Sequence, residues 1–114
     1  MSFPRRGEIY WVNLDPTVGT EIAKTRPSLV ISNDIGNEYS SRVIVAPATS
    51  GSTGRVYPFE VPVPAGEGGF DRASKVLLDQ IRTVDRRRLG ALVGSLSALR
   101  MHQVDRAIRL SLAV

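Results

Sequence analysis

The sequence predicts a mainly β fold of α+β character, a small barrel of short strands followed by a C-terminal helix. Short apolar runs rich in Val, Ile and aromatics recur between Gly, Pro, Asn and Ser clusters. Only after Leu96 do the apolar residues take up helical spacing. No strand alternates with a long helical pattern, so a doubly wound parallel sheet is not expected. The 114 residues are read as one domain, 1–114, large enough for a single hydrophobic core.

Glu8 to Leu14 is the first strand, with apolar groups on both faces as in a barrel wall. Asp15-Pro16-Thr17-Val18-Gly19 breaks it, and a loop continues to about Thr25. A second strand covers Ser28 to Ser32, beginning beside Pro27 because proline fits poorly inside a central ladder. Asn33 to Ser40 is polar and turn-prone, with room for one short helical turn. Val43 to Ala48 is the third strand, in which Pro47 marks an edge or a bulge. Ser50-Gly51-Ser52-Thr53-Gly54 has too little side-chain mass to pack and reads as a loop. Tyr57 to Val63 is a strand with Phe59, Val61 and Val63 at period two. Pro64 to Gly69 turns the chain, and Ser74 to Leu78 and Gln80 to Val84 form two short strands around Asp79.

Asp85 to Gly90 reads as another helical turn. Ser97 then caps a helix whose Met101, Val104, Ile108 and Leu112 share one face. Leu96 and Met101 occupy the positions of a hydrophobic staple, although Arg100 stands where a capping box has Glu or Gln.

Lys and Arg number 15 against 11 Asp and Glu, a net charge of +4 that favours polyanionic partners. Absence of cysteine excludes disulfide scaffolds, thiolate zinc sites and cysteine nucleophiles. His102 is the only histidine, so no mechanism can pair two histidines within one chain. No apolar run approaches the ~18 residues of a membrane span, and Met1 to Gly7 lacks a signal peptide's apolar segment. The expected location is the cytoplasm. No Walker loop, Rossmann fingerprint, nucleophile elbow or metal-ligand cluster appears.

The chemistry-bearing residues fall in the connections. Arg26, restricted to extended backbone by Pro27, offers a planar cationic fork suited to phosphate oxygens. The alternative reading is a surface arginine in an ion pair with Glu21. Thr49, where a strand meets the glycine-rich loop, can donate to a phosphate or bond its own turn. Asp79-Gln80-Ile81-Arg82-Thr83 alternates, so one face presents Gln80 and Arg82 to a groove or simply to solvent. Of Tyr10, Trp11, Tyr39, Tyr57, Phe59 and Phe70, most are expected in the core and one or two on a stacking surface. Arg86-Arg87-Arg88 is read as a solvated charge run.

Taken in order, several segments resemble the MazF/PemK family of toxin endoribonucleases. They are Gly7-Glu8-Ile9-Tyr10-Trp11, Asp15 to Glu21, Lys24-Thr25-Arg26-Pro27 with Val30-Ile31-Ser32, Val43 to Thr49, Tyr57 to Val61, and Asp79 to Asp85. The resemblance implies an SH3-like barrel, shared with CcdB-like toxins, with a C-terminal helix and assembly as a homodimer. It implies sequence-specific cleavage of single-stranded RNA, messenger RNA included, without metal or other cofactor, giving 2′,3′-cyclic phosphate and 5′-hydroxyl ends. The family's arginine and threonine fall on Arg26 and Thr49, its loop glutamate on Glu21 and its RNA-contacting glutamine on Gln80. Arg26, Thr49 and Glu21 are the expected catalytic residues, and Thr20, Ser50 and Arg82 are expected to join Gln80 in contacting RNA. Thr20 departs from the serine of many members but keeps the hydroxyl. A cognate acidic antitoxin of MazE type is the implied partner. Two other readings share the barrel: a CcdB-like binder of DNA gyrase and an inactive RNA-binding barrel.

Overall fold

A computed structural model describes residues 2–114. The strands are β1 (Glu8–Asn13), β2 (Thr25–Val30), β3 (Arg42–Thr49), β4 (Glu60–Val63), β5 (Ser74–Leu77), β6 (Arg82–Asp85) and β7 (Leu89–Ser95). A short helix α1 (Asp34–Tyr39) separates β2 from β3, and α2 (Ala98–Leu112) ends the fold. All ladders are antiparallel, and the strands run β4-β5-β3-β2-β1-β7 with β6 also on β3.

β3 is the hub. On one side Val45, Ala46 and Pro47 pair with Val30, Leu29 and Ser28 of β2. On the other, Arg42 to Val45 pair with β6, and Ala48 and Thr49 pair with β5. Pro47, expected at an edge or bulge, is buried in this central strand. It falls in the gap between the β6 and β5 ladders, where its missing N–H leaves no partner unsatisfied. β2 starts at Thr25 rather than Ser28 and stops at Val30 rather than Ser32. Pro27 is tolerated there because the β2–β3 ladder begins only at Ser28.

Two apolar clusters flank the sheet. One joins Ile9, Leu29, Ala46, Ala48, Val76 and Leu78 to Val104 and Ala107 of α2. The other joins Val12, Leu14, Val30, Val43, Val45 and Val84. β1, β2 and β3 contribute to both, which is why their sequences are apolar without strict alternation. Ser97 accepts the Arg100 N–H at 3.2 Å, and Leu96 and Met101 pack on the first cluster, as the cap and staple predict. Leu112, expected on the buried face, is exposed. In that last turn Ser111 is the inward residue, donating to the Leu78 carbonyl at 2.7 Å.

Three further expectations change. Tyr57 to Phe59 is a turn, not strand: the Glu60 N–H donates to the Tyr57 carbonyl at 2.9 Å. Residues 89–95 form a strand that sequence periodicity did not reveal, because Gly90, Ala91 and Gly94 break the alternation. The barrel, finally, is open: no ladder joins β4 to β7. The connection after β4 instead lies backbone to backbone on β7, where Gly68 and Gly69 meet Val93 and Gly94.

Arg86 and Arg88 do not form a solvated run. Arg86 donates to the Asn37 carbonyl at 3.3 Å, and Arg88 to the Asn13 and Asp15 carbonyls. Only Arg87 is largely exposed, paired with Asp85 at 3.0 Å.

Two predictions follow from this packing. A Cβ on Gly94 would overlap the Gly68 carbonyl, backbone that has no rotamer with which to yield. Gly94→Ala should lower stability in urea by about 1–3 kcal/mol, whereas Gly90→Ala, whose Cβ finds ordinary room, should change it little. Burial, reinforced by the Glu8 carboxylate that accepts its hydroxyl, pushes the Tyr10 phenol up from 10.0 to about 12. The neutral phenol therefore favours the folded state below pH 10, and that contribution is lost as pH rises toward 12. Ultraviolet titration should show a late phase near pH 12 that Tyr10→Phe removes, and the same substitution should flatten the stability loss in that window.

Candidate functional site

Register builds the site. Ser28 pairs with Pro47, so carrying the β2–β3 register on by two residues sets Arg26 opposite Thr49. Thr49 pairs in turn with Lys75 of β5, and Lys75 with Pro62 of β4. Directly opposed residues share a face of the sheet, so Arg26, Thr49 and Lys75 make a row across three strands.

Two hollows meet at this row. One, of about 280 Å³, is lined by Trp11, Arg26, Thr49, Ser50, Phe70, Asp71 and Arg72 among others. The second, of about 350 Å³, is lined by Thr20, Ile22, Arg26, Thr49, Lys75, Asp79 and Gln80 among others. Arg26 and Thr49 line both. The Arg26 guanidinium donates through Nε to the Ala23 carbonyl at 3.1 Å and forms no ion pair among the described residues. Its outer nitrogens therefore remain available to an anion. Thr49 Oγ1 accepts the Gly51 N–H at 3.1 Å, which fixes the oxygen while leaving the hydroxyl proton to donate. The turn-forming and anion-binding uses of Thr49 are thus compatible.

The surface ion pair between Arg26 and Glu21 does not form. The Glu21 carboxylate accepts the Val18 N–H at 2.6 Å and lines an adjoining hollow with Gln80 and Arg82. Gln80 accepts the Ile22 N–H at 2.6 Å, and Arg82 donates to the Leu14 carbonyl at 2.8 Å. These two side chains fasten the 15–24 loop beside the row. Ser50 stands on the first hollow and Thr20 on the second. Among the aromatics only Phe70 is buried; Trp11, 44% exposed, stands in the first hollow, and Tyr39, Tyr57 and Tyr10 lie outside the core or at its margin. His102 is exposed on α2, outside the hollows.

Sequence reasoning missed Asp71, Arg72, Glu60 and Lys75. Lys75 had a signal: a lysine inside the buried run Ser74 to Leu78 requires a partner. Its Nζ sits 2.9 Å from Glu60 Oε1, with each side chain 7% exposed. It also donates to the Arg55 carbonyl at 2.9 Å. No group of His, Asp and Glu suited to a metal ion occurs among the described residues.

Comparison with known proteins places this geometry among relatives. Residues 5–112 match the family described as PemK-like, MazF-like toxin of type II toxin–antitoxin system. The chain is 43% identical to "Endoribonuclease EndoA" of Bacillus subtilis (strain 168) over 110 residues, spanning 96% of this chain and 95% of that one. The crystal structure of MazF (Form-I) from Deinococcus radiodurans superposes with TM-score 0.85 at 30% identity, covering all of both chains. The MazE–MazF crystal structure (Form-II) from the same organism gives 0.77 at 27% identity, covering 100% of this chain and 99% of that one.

Removing one partner of a buried ion pair strands the other charge. Lys75→Ala should cost about 3–5 kcal/mol in urea unfolding, whereas Arg87→Ala, at a solvent-screened exposed pair, should leave the urea midpoint nearly unchanged.

Proposed function

Since the chain belongs to the PemK/MazF family of toxins of type II toxin–antitoxin systems, we propose that the whole chain is one toxin domain that cleaves single-stranded RNA as an endoribonuclease. The observation that carries this reading is the convergence of Arg26 and Thr49 on one groove, set by the β2–β3 register. The curated relative that the chain matches over nearly its full length is named as an endoribonuclease, which favours a nuclease over a gyrase-binding or inactive barrel.

In the proposed reaction the 2′-oxygen of a ribose attacks the adjacent phosphorus and the bond to the 5′-oxygen breaks. The products are a 2′,3′-cyclic phosphate and a 5′-hydroxyl. Negative charge grows on the two non-bridging oxygens as the fifth bond forms. Arg26 and Thr49 are fixed donors aimed at that charge, stabilising the transition state more than the substrate. Arg26 keeps its proton at any ordinary pH, so its part is electrostatic rather than that of a base. Glu21 holds the loop by accepting the Val18 N–H, and its carboxylate also takes the 2′-proton through a water relay. A proton returns to the departing 5′-oxygen from solvent. Thr20, Ser50, Gln80 and Arg82 flank the path of the RNA.

The protein works as a homodimer, and its inhibitor is a cognate acidic antitoxin of MazE type. Support for the partner comes from the MazE–MazF structure that the chain resembles and from the net charge of +4. No helix among the described residues is long and apolar enough to cross a membrane, which accords with action in the cytoplasm.

Arg26→Ala and Thr49→Ala should each lower kcat for RNA cleavage by ~10²–10³-fold with circular dichroism and Tm near those of the parent. EDTA should leave the parent's cleavage unchanged. Retained cleavage in either purified variant overturns the assignment.

A further inference from the structure

Among the described residues Lys75 is the one buried cation, and the proposed reaction leaves it without a task. It stands directly across the ladder from Thr49 and on the same face. Glu60 lies diagonally across β4, within reach of a long side chain. The Lys75 ammonium spends its hydrogen bonds on Glu60 Oε1 and on the Arg55 carbonyl, both at 2.9 Å. Glu60 Oε1 also accepts the Tyr57 N–H at 3.0 Å.

Both bonds grip the far end of the 50–59 loop. At its near end the loop is held by the Gly51 N–H on Thr49 Oγ1. Between the two grips run Ser50-Gly51-Ser52-Thr53-Gly54, whose small side chains leave them little to pack. Beyond them the far end is built as a stack. The Arg55 guanidinium lies 5.3 Å from the Tyr57 ring centroid, and the Tyr57 and Phe59 rings lie parallel at 5.5 Å. That stack is held to the sheet by the Lys75–Glu60 pair, by the Lys75 bond to the Arg55 carbonyl and by the Leu78 N–H, which donates to the Phe59 carbonyl at 3.2 Å.

We infer that Lys75 is a positioning residue, fastening the 50–59 loop across the groove so that Ser50 and the Thr49 hydroxyl are held in place for RNA. This deepens the ribonuclease reading and rests on it. An anchored wall keeps the donors aligned before the substrate arrives, and loosening it costs rate rather than affinity alone. Two of the three ammonium N–H donors are spent on the Glu60 carboxylate and the Arg55 carbonyl, so its part is to hold the loop rather than to bind the phosphate.

The test uses Lys75→Met/Glu60→Gln. This variant keeps side-chain length and the acceptor for the Tyr57 N–H while leaving no unpaired buried charge. Lys75→Met alone serves for comparison. In hydrogen exchange of the free protein, amides 50–57 should lose protection in the double variant while β2, β3 and α2 keep theirs. In cleavage of a defined RNA, kcat should fall about tenfold or more with KM changed less than about threefold. Lys75→Arg, which keeps a cationic donor, should recover a larger share of kcat than Met at the same position. A folded double variant with parental loop exchange and parental kcat overturns the inference. A parent that cleaves no RNA overturns the ribonuclease reading instead, and the exchange result still decides whether Lys75 anchors the loop.

Discussion

The backbone ladder between β2 and β3 is the constraint on which the rest of the molecule depends. Carried two residues beyond its last pair, its register sets Arg26 opposite Thr49, and the ladders on the other side of β3 set Lys75 beside Thr49 and clear a gap for Pro47. A slip of one residue would turn every one of these side chains to the opposite face. The slip is resisted because β3 is buried on both faces, with Val43 and Val45 in one cluster and Ala46 and Ala48 in the other. Apolar packing thus supplies the precision that the polar row uses.

Around this hub the connections are tied down by side chains reaching to backbone carbonyls and amides. Gln80 and Arg82 hold the loop before β2, Arg88 holds its beginning, and Arg86 holds the end of α1. Arg6 joins the Ile31 carbonyl to Asp105 of α2 at 2.6 Å, linking the helix to the corner after β2. A chain with no disulfide obtains ordered loops this way. The arginines do two kinds of work: most are spent on structure, and Arg26 keeps its outer nitrogens free. Net positive charge alone does not separate these uses. Partner geometry does.

Much of this was legible in the residues. The cap at Ser97, the staple of Leu96 and Met101, and the apolar β1 and β3 announced themselves by spacing. Arg26 beside Pro27 and Thr49 at a strand end were recognisable as candidate anion binders. β7 was not, because Gly90, Ala91 and Gly94 interrupt its alternation and only Leu89 and Val93 reach the clusters; the strand is held by its ladder with β1 and by the close backbone approach of Gly68 and Gly69. Nor were the arginine staples, since a long flexible side chain can reach any of several carbonyls and only the fold selects one. Glu21 illustrates the same limit. Its spacing from Arg26 suggested an ion pair, and the turn from Val18 to Glu21 claimed the carboxylate first.

The most direct test of the account is a structure of the protein with a short RNA carrying a single 2′-deoxy sugar at the cleavage position. Such an oligonucleotide binds but lacks the attacking oxygen. The account predicts that the phosphate following that sugar lies within hydrogen-bond reach of both the Arg26 outer guanidinium nitrogens and the Thr49 hydroxyl. A phosphate bound elsewhere, with those two groups facing solvent, would contradict it.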